Sequence, residues 1–334
     1  MTVMGIDVGY GNLKQACRVG TEITTNVMPS GAAPKEHMPE RMGGDADYAI
    51  VDVNGRSWAA GVDANKLQNW ERDLHDDFPT TDSYMALYFA ALLFSGASHI
   101  ERLVTGLPVE QAKNTTYKTS LSSRLTGKFQ VTRSKCVTVE AVKVIPQPLG
   151  AYIHLIGTAS EEDLDFYGDA RVLVIDPGFG SVDWVMVDPG AQVRTASAGT
   201  SPHATSMLLE KASSMIGDDH GVAPGRDRLD QAHRRDQKTI VLGAERVEIA
   251  PYLIRATGCM PDSPHQNATE SASRTPRPGR GSVDRRRCAA LPEHRSRNLS
   301  QGADHRSGSA SIRAVSDRRD SDLVDSRRTE DLRI

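Results

Sequence analysis

The chain has 334 residues, enough for two ordinary domains with full cores. Its 40 Lys and Arg nearly balance 43 Asp and Glu, and a net charge of −3 argues against direct binding to nucleic acid or to an anionic membrane. The four cysteines lie far apart with no CxxC pair, which gives a zinc or disulfide framework little support, and no apolar run approaches the length of a membrane span. The N-terminus has no basic stretch leading into an apolar one, so the expectation is a soluble, cytoplasmic protein.

Taken in chain order, Val3–Val8 and Leu13–Val19 read as buried strands joined by a tight turn. Tyr48–Val53 and Arg56–Ala59 read as a hairpin around Asn54-Gly55, a strong turn dipeptide. Ser83–Phe94 is predicted helical, with Tyr84, Leu87, Tyr88, Ala91 and Leu92 on one apolar face. His99–Gly106 reads as a strand ending at Leu107-Pro108, Asn114–Leu125 as helix, and Phe129–Val144 as one or two strands. Pro146 to Gly150 leads into a helix over Ala151–Gly157, and the acidic Ser160–Asp169 reads as an interlobe linker. Arg171–Val187 repeats the strand–turn–strand pattern, and Thr205–Ile216 is an amphipathic helix.

After Tyr252 the composition changes. The last 82 residues hold no Phe, Tyr or Trp, and no Lys follows Lys238. From Pro264 onward 15 Arg face 10 Asp and Glu, leaving the rest of the chain at −8. Such a segment cannot bury enough apolar area to offset its ordering entropy, and by composition it is a disordered tail. The expected organisation is a first lobe over 1–160, a partial second lobe over 161–260 and an Arg-rich tail over 261–334.

The most informative feature is a device that occurs twice, about 170 residues apart. Asp7-Val8-Gly9-Tyr10-Gly11-Asn12 and Asp176-Pro177-Gly178-Phe179-Gly180-Ser181 each follow a β-branched run. A strand that stops at a carboxylate and a Gly-rich turn can offer backbone N–H groups to phosphate and the Asp to its magnesium, through water. Two such devices suggest two similar lobes closing on one nucleotide, with Asp7 and Asp176 near the metal. Gly9, Gly11, Gly178 and Gly180 permit close approach, Asn12 and Ser181 are candidate donors, and Lys14 faces either phosphate or solvent. A β-like segment rather than a helix follows Gly11, which disfavours a dinucleotide fold, and no GxxxxGK[ST] occurs.

Gln147, between Pro146 and Pro148, is a fixed amide able to orient an attacking water or simply to tie its own turn. Asp183 is a candidate metal helper or hairpin cap, and Gly199-Thr200 a candidate phosphate or ribose contact or a plain turn. His99, His154, His203 and His220 have no ligand spacing, and Ser197 and Ser201 have no base partner.

These residues resemble the actin-like ATPase superfamily. Asp7 through Lys14 looks like its first phosphate motif, Gln147 through Ala151 its first connecting motif, and Asp176 through Asp183 its second phosphate motif. Val104-Thr105-Gly106-Leu107-Pro108 and the Tyr117–Gly127 segment are most similar to the ParM/StbA plasmid-segregation group, including PRTRC protein D-like relatives. The resemblance covers Met1 to about Tyr252. It implies an α/β fold of two lobes with ribonuclease-H-like cores, ATP and Mg2+ in the cleft, and filament assembly coupled to hydrolysis. It also implies self-association, a DNA-bound adaptor protein, and catalytic roles for Gln147 and Asp176. A sugar or metabolite kinase of the same superfamily is the alternative, with Asp52, Asp63 or Asp82 as base; an inactive nucleotide-responsive scaffold is a third reading.

The superfamily's strand ending in Gly-Gly-Gly, against which adenine and ribose pack, has no counterpart here. Arg285-Arg286-Arg287-Cys288-Ala289-Ala290-Leu291-Pro292-Glu293 stands in the tail. Codons exist for this run that, advanced by one nucleotide, encode Gly-Gly-Gly-Ala-Pro-Leu-Tyr-Arg. The loss of aromatics and Lys agrees, and the expectation is a frameshift between about Gly258 and Val283 that leaves the second lobe incomplete.

Overall fold

The computed structural model describes residues 1–39, 47–63, 66–67, 75–259 and 311–315. It is an α/β architecture built on two sheets with the same beginning.

The first sheet comprises β1 (Thr2–Val8), β2 (Asn12–Val19), β3 (Glu22–Pro29), β8 (Arg102–Leu107) and β11 (Val142–Pro146), in the order β11-β8-β1-β2-β3. β1, β2 and β3 form an antiparallel meander, while β8 and β11 run parallel to β1. A small sheet of β4 (Gly31–Pro34), β5 (Ala49–Val53) and β6 (Arg56–Val62) packs beside it. The turn between β5 and β6 has Asn54 and Gly55 both at positive φ (50° and 78°), the two-residue hairpin geometry expected of Asn-Gly. Against both sheets lies α1 (Asp82–Phe94), N-capped by Thr81, whose hydroxyl accepts from the Tyr84 N–H. Every residue from Ser83 to Leu92 is buried. The helix is therefore apolar all round rather than on one face, because Ala86 and Ala90 fill the side the periodicity assigned to solvent.

The stretch expected as one strand over His99–Gly106 divides at Glu101. β7 (His99–Ile100) pairs with β10 (Cys136–Val139), which also pairs with β9 (Gly127–Gln130), while β8 joins the main sheet. Before α3 (Thr115–Leu125) sits a short α2 (Val109–Lys113), and Asn114 ends one and caps the other through the Tyr117 N–H.

α4 (Pro148–Thr158) leads to the second lobe. The expected linker is a helix, α5 (Glu161–Asp169): Ser160 caps it by accepting from the Asp163 N–H, and three acidic residues fill its first turn. Ser160-x-x-Asp163 before Leu164 is a legible helix start that polarity alone concealed.

The second sheet contains β12 (Arg171–Pro177), β13 (Val182–Asp188) and β14 (Gln192–Ser201), again an antiparallel meander. Both faces are apolar: Leu173, Ile175, Trp184 and Met186 on one side, Val172, Val174, Val185 and Val187 on the other. The remaining edge of β12 pairs antiparallel with β17 (Ser311–Val315), a strand within the segment that composition assigned to disorder. A helical subdomain of α6 (Thr205–His220), α7 (Arg226–Arg234) and α8 (Ala250–Gly258), with the hairpin β15 (Thr239–Leu242) and β16 (Glu245–Glu248), has its own core around Leu209, Ile216, Leu229 and Val247. Arg285–Glu293, on which the frameshift expectation rests, lies outside the described residues. Among the described residues no helix is long and apolar enough to cross a membrane.

Candidate functional site

The two glycine loops have one backbone geometry. In the first, the Gly9 N–H donates to the Asn12 carbonyl (3.1 Å); in the second, the Gly178 N–H donates to the Ser181 carbonyl (2.8 Å). A Cβ on Gly178 would lie 2.8 Å from that same oxygen and one on Gly9 3.1 Å, so the backward bond leaves no room for a side chain at Gly178 and only a tight fit at Gly9. Donors outside the loops fix their carbonyls. Ser30 Oγ donates to the Tyr10 carbonyl, while the Ser206 N–H at the start of α6 donates to the Phe179 carbonyl (2.9 Å).

The loops face each other and interlock through the residue between each glycine pair. A Cβ on Gly180 would come within 2.3 Å of the Tyr10 ring, and one on Gly11 within 3.4 Å of Phe179 Cβ. Tyr10 is itself anchored, stacked on Phe78 with centroids 5.1 Å apart and donating its hydroxyl to the His75 carbonyl (2.9 Å).

Around this junction the predicted residues separate into two groups. Asp7 at the end of β1, Lys14 on β2 and Gln147 before α4 converge. Lys14 Nζ lies 3.5 Å from one Asp7 carboxylate oxygen, and Gln147 Nε2 donates to the other (3.1 Å). Gln147 is held by its own N–H bonding to the Leu107 carbonyl (2.9 Å), and it packs on Gly106, where a Cβ would lie 2.6 Å from its Cγ. Asp176 belongs electrostatically to this group. Its burial, with Asp7 nearby, pushes its carboxyl up to about 6.

Asp183, Ser181, Thr200 and Gly199 form the other group. Asp183 is buried and accepts from the Val109 N–H (2.7 Å), Ser181 Oγ (2.6 Å) and Thr200 Oγ1. Burial raises its pKa, opposed by those hydrogen bonds. The same Thr200 oxygen accepts from the Glu110 N–H (3.1 Å), and Lys113 Nζ donates to the Ala198 carbonyl (2.8 Å). These bonds pin α2 of the first lobe onto β13 and β14 of the second. Gly199 and Thr200 lie inside β14 and form no turn, and a Cβ on Gly199 would meet the Trp184 ring at 2.5 Å.

Sequence reasoning missed two basic residues. Arg234, at the end of α7, reaches the Gly11 carbonyl (3.2 Å) and Asn12 Oδ1, and Arg235 lies 3.3 Å from Asp63 at the end of β6. The only local signal was Asp230, one helical turn before Arg234. Of the kinase candidates, Asp52 accepts from Ser57 Oγ (2.7 Å) and Asp82 from Asn54 Nδ2 (2.8 Å), while Asp63 pairs with Arg235 and lines a crevice shared with Gly11.

Two carboxylates of which one is forced toward its neutral form fit a divalent cation, which would relieve their repulsion. Among the described residues no cluster of three or more acidic, His or Cys ligands exists, so such an ion would keep waters and take phosphate oxygens, the habit of Mg2+.

Residues 5–150 match the family described as actin like proteins, N terminal domain. The native archaeal actin homologue Ta0583 is similar over 81% of this chain and 82% of its own, at 15% identity and a TM-score of 0.60. A non-polymerisable quadruple mutant of pCBH ParM is similar over 81% and 83%, at 17% identity and a TM-score of 0.59. A 15-stranded ParM filament from Clostridium botulinum covers 77% and 80%, at 15% identity and a TM-score of 0.57. Residues 5–150 are thus similar to that domain, and the chain has the actin-like fold. No curated protein matches it by sequence. The actin-like fold explains why two sheets with the same meander bring their first turns together: each lobe contributes one glycine loop to the junction.

Proposed function

We propose that this actin-like chain binds ATP with Mg2+ between its glycine loops, hydrolyses it, and assembles into filaments that serve plasmid segregation. The observation that carries the reading is the repeated loop. Two strands end in Asp, two turns share the backward Gly N–H bond, and they meet with Asp7, Lys14, Gln147 and Asp176 around them. Similar folds support the reading in kind: Ta0583 has been solved with ADP (16% identity, TM-score 0.55), and a similar ParM forms filaments.

In this mechanism Gly9 and Gly178 are not phosphate donors, because their N–H groups are used within the loops. The donors come from the residues that follow, Tyr10 to Asn12 and Phe179 to Ser181. Asp7 and Asp176 would hold a divalent cation through water, and such an ion when bound would offset charge on the phosphates. Gln147 donates to Asp7 through one N–H, and an amide carries a second N–H and a carbonyl oxygen with which to orient water. Asp183 and Thr200 serve as the interlobe hinge instead of touching phosphate. The similarity to a ParM filament supports filament formation, and a DNA-bound adaptor completes the proposed role.

Mixing the protein with Mg-ATP and following phosphate release together with light scattering tests the reading. Hydrolysis that needs no sugar, with polymer formation, is the expected result; sugar-stimulated turnover without polymer would replace it with a kinase. Gln147→Ala should slow hydrolysis about 10²–10³-fold while sparing ATP binding. One observation favours a scaffold that binds without turning over: the free side of β12 pairs with antiparallel β17, whereas the matching side of β1 pairs with parallel β8. Nucleotide binding with neither phosphate release nor scattering would select that alternative.

A further inference from the structure

Gly11 is flanked by a cation as well as by Phe179. A Cβ there would lie 2.6 Å from Arg234 Nη2, so a guanidinium of the opposite lobe packs against the bare face of Gly11. Arg234 Nη1 donates to the Gly11 carbonyl and Asn12 Oδ1, while Nε and Nη2 hold the two Asp230 oxygens at 2.9 Å each. Asp230 is 6% exposed, and this two-point grip fixes the plane of the fork. A crevice whose lining includes Gly11, Ser30, Asp63, Asp227, Asp230 and Arg234 opens at this point.

The charges around the junction make this cation consequential. Asp7, Asp63, Asp176, Asp227 and Asp230 outnumber Lys14, Arg234 and Arg235, each of which is already drawn to one of these carboxylates. A polyphosphate entering such a site meets repulsion that a single lysine and one metal ion do not offset. Asp230, the Gly11 carbonyl and Asn12 Oδ1 take four of the five Arg234 N–H donors, which leaves one Nη2 N–H beside Gly11 to donate to a phosphate oxygen.

We infer that Arg234 is a phosphate-binding residue that reads the length of the phosphate chain: α7 delivers it across the cleft to the first glycine loop, and Asp230 orients it. The inference rests on the nucleotide reading above and adds to it a group from the helical subdomain. That subdomain would then sense whether ATP or ADP occupies the site.

The test is calorimetric titration of the full chain with AMP, ADP, ATP and tripolyphosphate in the presence of Mg2+, for the wild type, Arg234→Gln and Arg234→Lys. Arg234→Gln should weaken ATP and tripolyphosphate about 10- to 100-fold, as expected for loss of a charge-assisted hydrogen bond, with a smaller loss for ADP and the least for AMP. Arg234→Lys, which keeps the charge but not the fork, should recover part of the loss and carries the test if the Gln variant unfolds. An equal loss for all four ligands would make Arg234 an interlobe pin only and overturn the inference, as would no loss. Wild-type binding of tripolyphosphate but not of adenine nucleotides, with the Arg234 effect retained, would overturn the nucleotide reading and leave this residue's role standing. Binding of none of the ligands would overturn both.

Discussion

The two lobes use one frame with opposite charges. In the first sheet Asp7 lies opposite Lys14 across the β1–β2 pair; in the second, Asp176 lies opposite Asp183 across β12–β13. Directly opposed residues on antiparallel strands share a face, so the same position supplies a counter-ion in one lobe and a like charge in the other. Lys14 stays part-exposed and reaches Asp7. Asp183 instead turns to the Val109 N–H, Ser181 and Thr200 and becomes part of the connection between lobes. A repeated fold thus specialises by exchanging one side chain: the first loop carries a neutralised carboxylate, the second a strained one.

The largest test of this contrast compares the equivalent positions. Asp183→Ala leaves three donors without an acceptor in a buried setting and should cost about 3–4 kcal/mol in urea unfolding. Lys14→Ala removes a part-exposed ion pair and should cost less than about 1 kcal/mol. Equal costs would break the comparison.

A smaller effect separates glycines that face a neighbour from those that do not. Gly180→Ala drives a methyl into the anchored Tyr10 ring and should destabilise by about 2 kcal/mol. In β1, a Cβ on Gly5 meets nothing within 4 Å, so Gly5→Ala should be neutral or slightly stabilising. Thermal unfolding of the two variants measures the difference.

The smallest effect is a pH dependence. The Asp176 carboxyl is raised from 3.8 to about 6 in the fold, so between these values the folded chain binds more protons than the unfolded one. Stability therefore falls as pH rises from about 4 to 6 and stays lowered above that, the reverse of an ion-paired carboxylate. Asp176→Asn should remove that fall and add about 1–2 kcal/mol at neutral pH, after allowing for solvent at a part-exposed group. Unfolding of the two proteins across pH 4–8 should show curves that meet at the acid end; parallel curves would mean that Asp176 is not strained.

The lobes also differ in how their helices are covered. α1 is buried on every side, whereas α4 buries only Pro148 fully and leaves Ile153 61% exposed, and α5 leaves Phe166 50% exposed. α4 packs one face on Val172, Val174 and their neighbours through Leu149 and Tyr152. The beginning of each sheet is duplicated faithfully, but only the first lobe goes on to the parallel pair β8 and β11 among the described residues.

Much of the fold was readable because it depends on local chemistry. Alternating and β-branched runs marked β1, β2, β12 and β13, Asn54-Gly55 marked a hairpin, and the helical spacing of Tyr84, Leu87, Tyr88, Ala91 and Leu92 marked α1. Elements that misled did so for identifiable reasons. Ser160–Asp169 was polar enough to read as a linker although its capping pattern specifies α5, and His99–Gly106 looks like one strand because a one-residue change of sheet at Glu101 leaves no mark on composition. α7 was missed because its hydrophobic stripe is only Leu229 and Ala232 among charges.

By itself the sequence determined the repeated Asp–Gly–Gly device, its spacing and the two-lobed plan, since strand ends and glycine turns follow from residues next to one another. Only the tertiary structure decided what each member of the device touches. That Tyr10 covers Gly180, that Asp183 clasps Val109, and that Arg234 arrives at Gly11 from 223 residues away depend on how two separately folded sheets and a helical subdomain meet. Local propensity sets the shape of each loop; the charge and packing between loops belong to pairs of residues that the chain brings together only when folded.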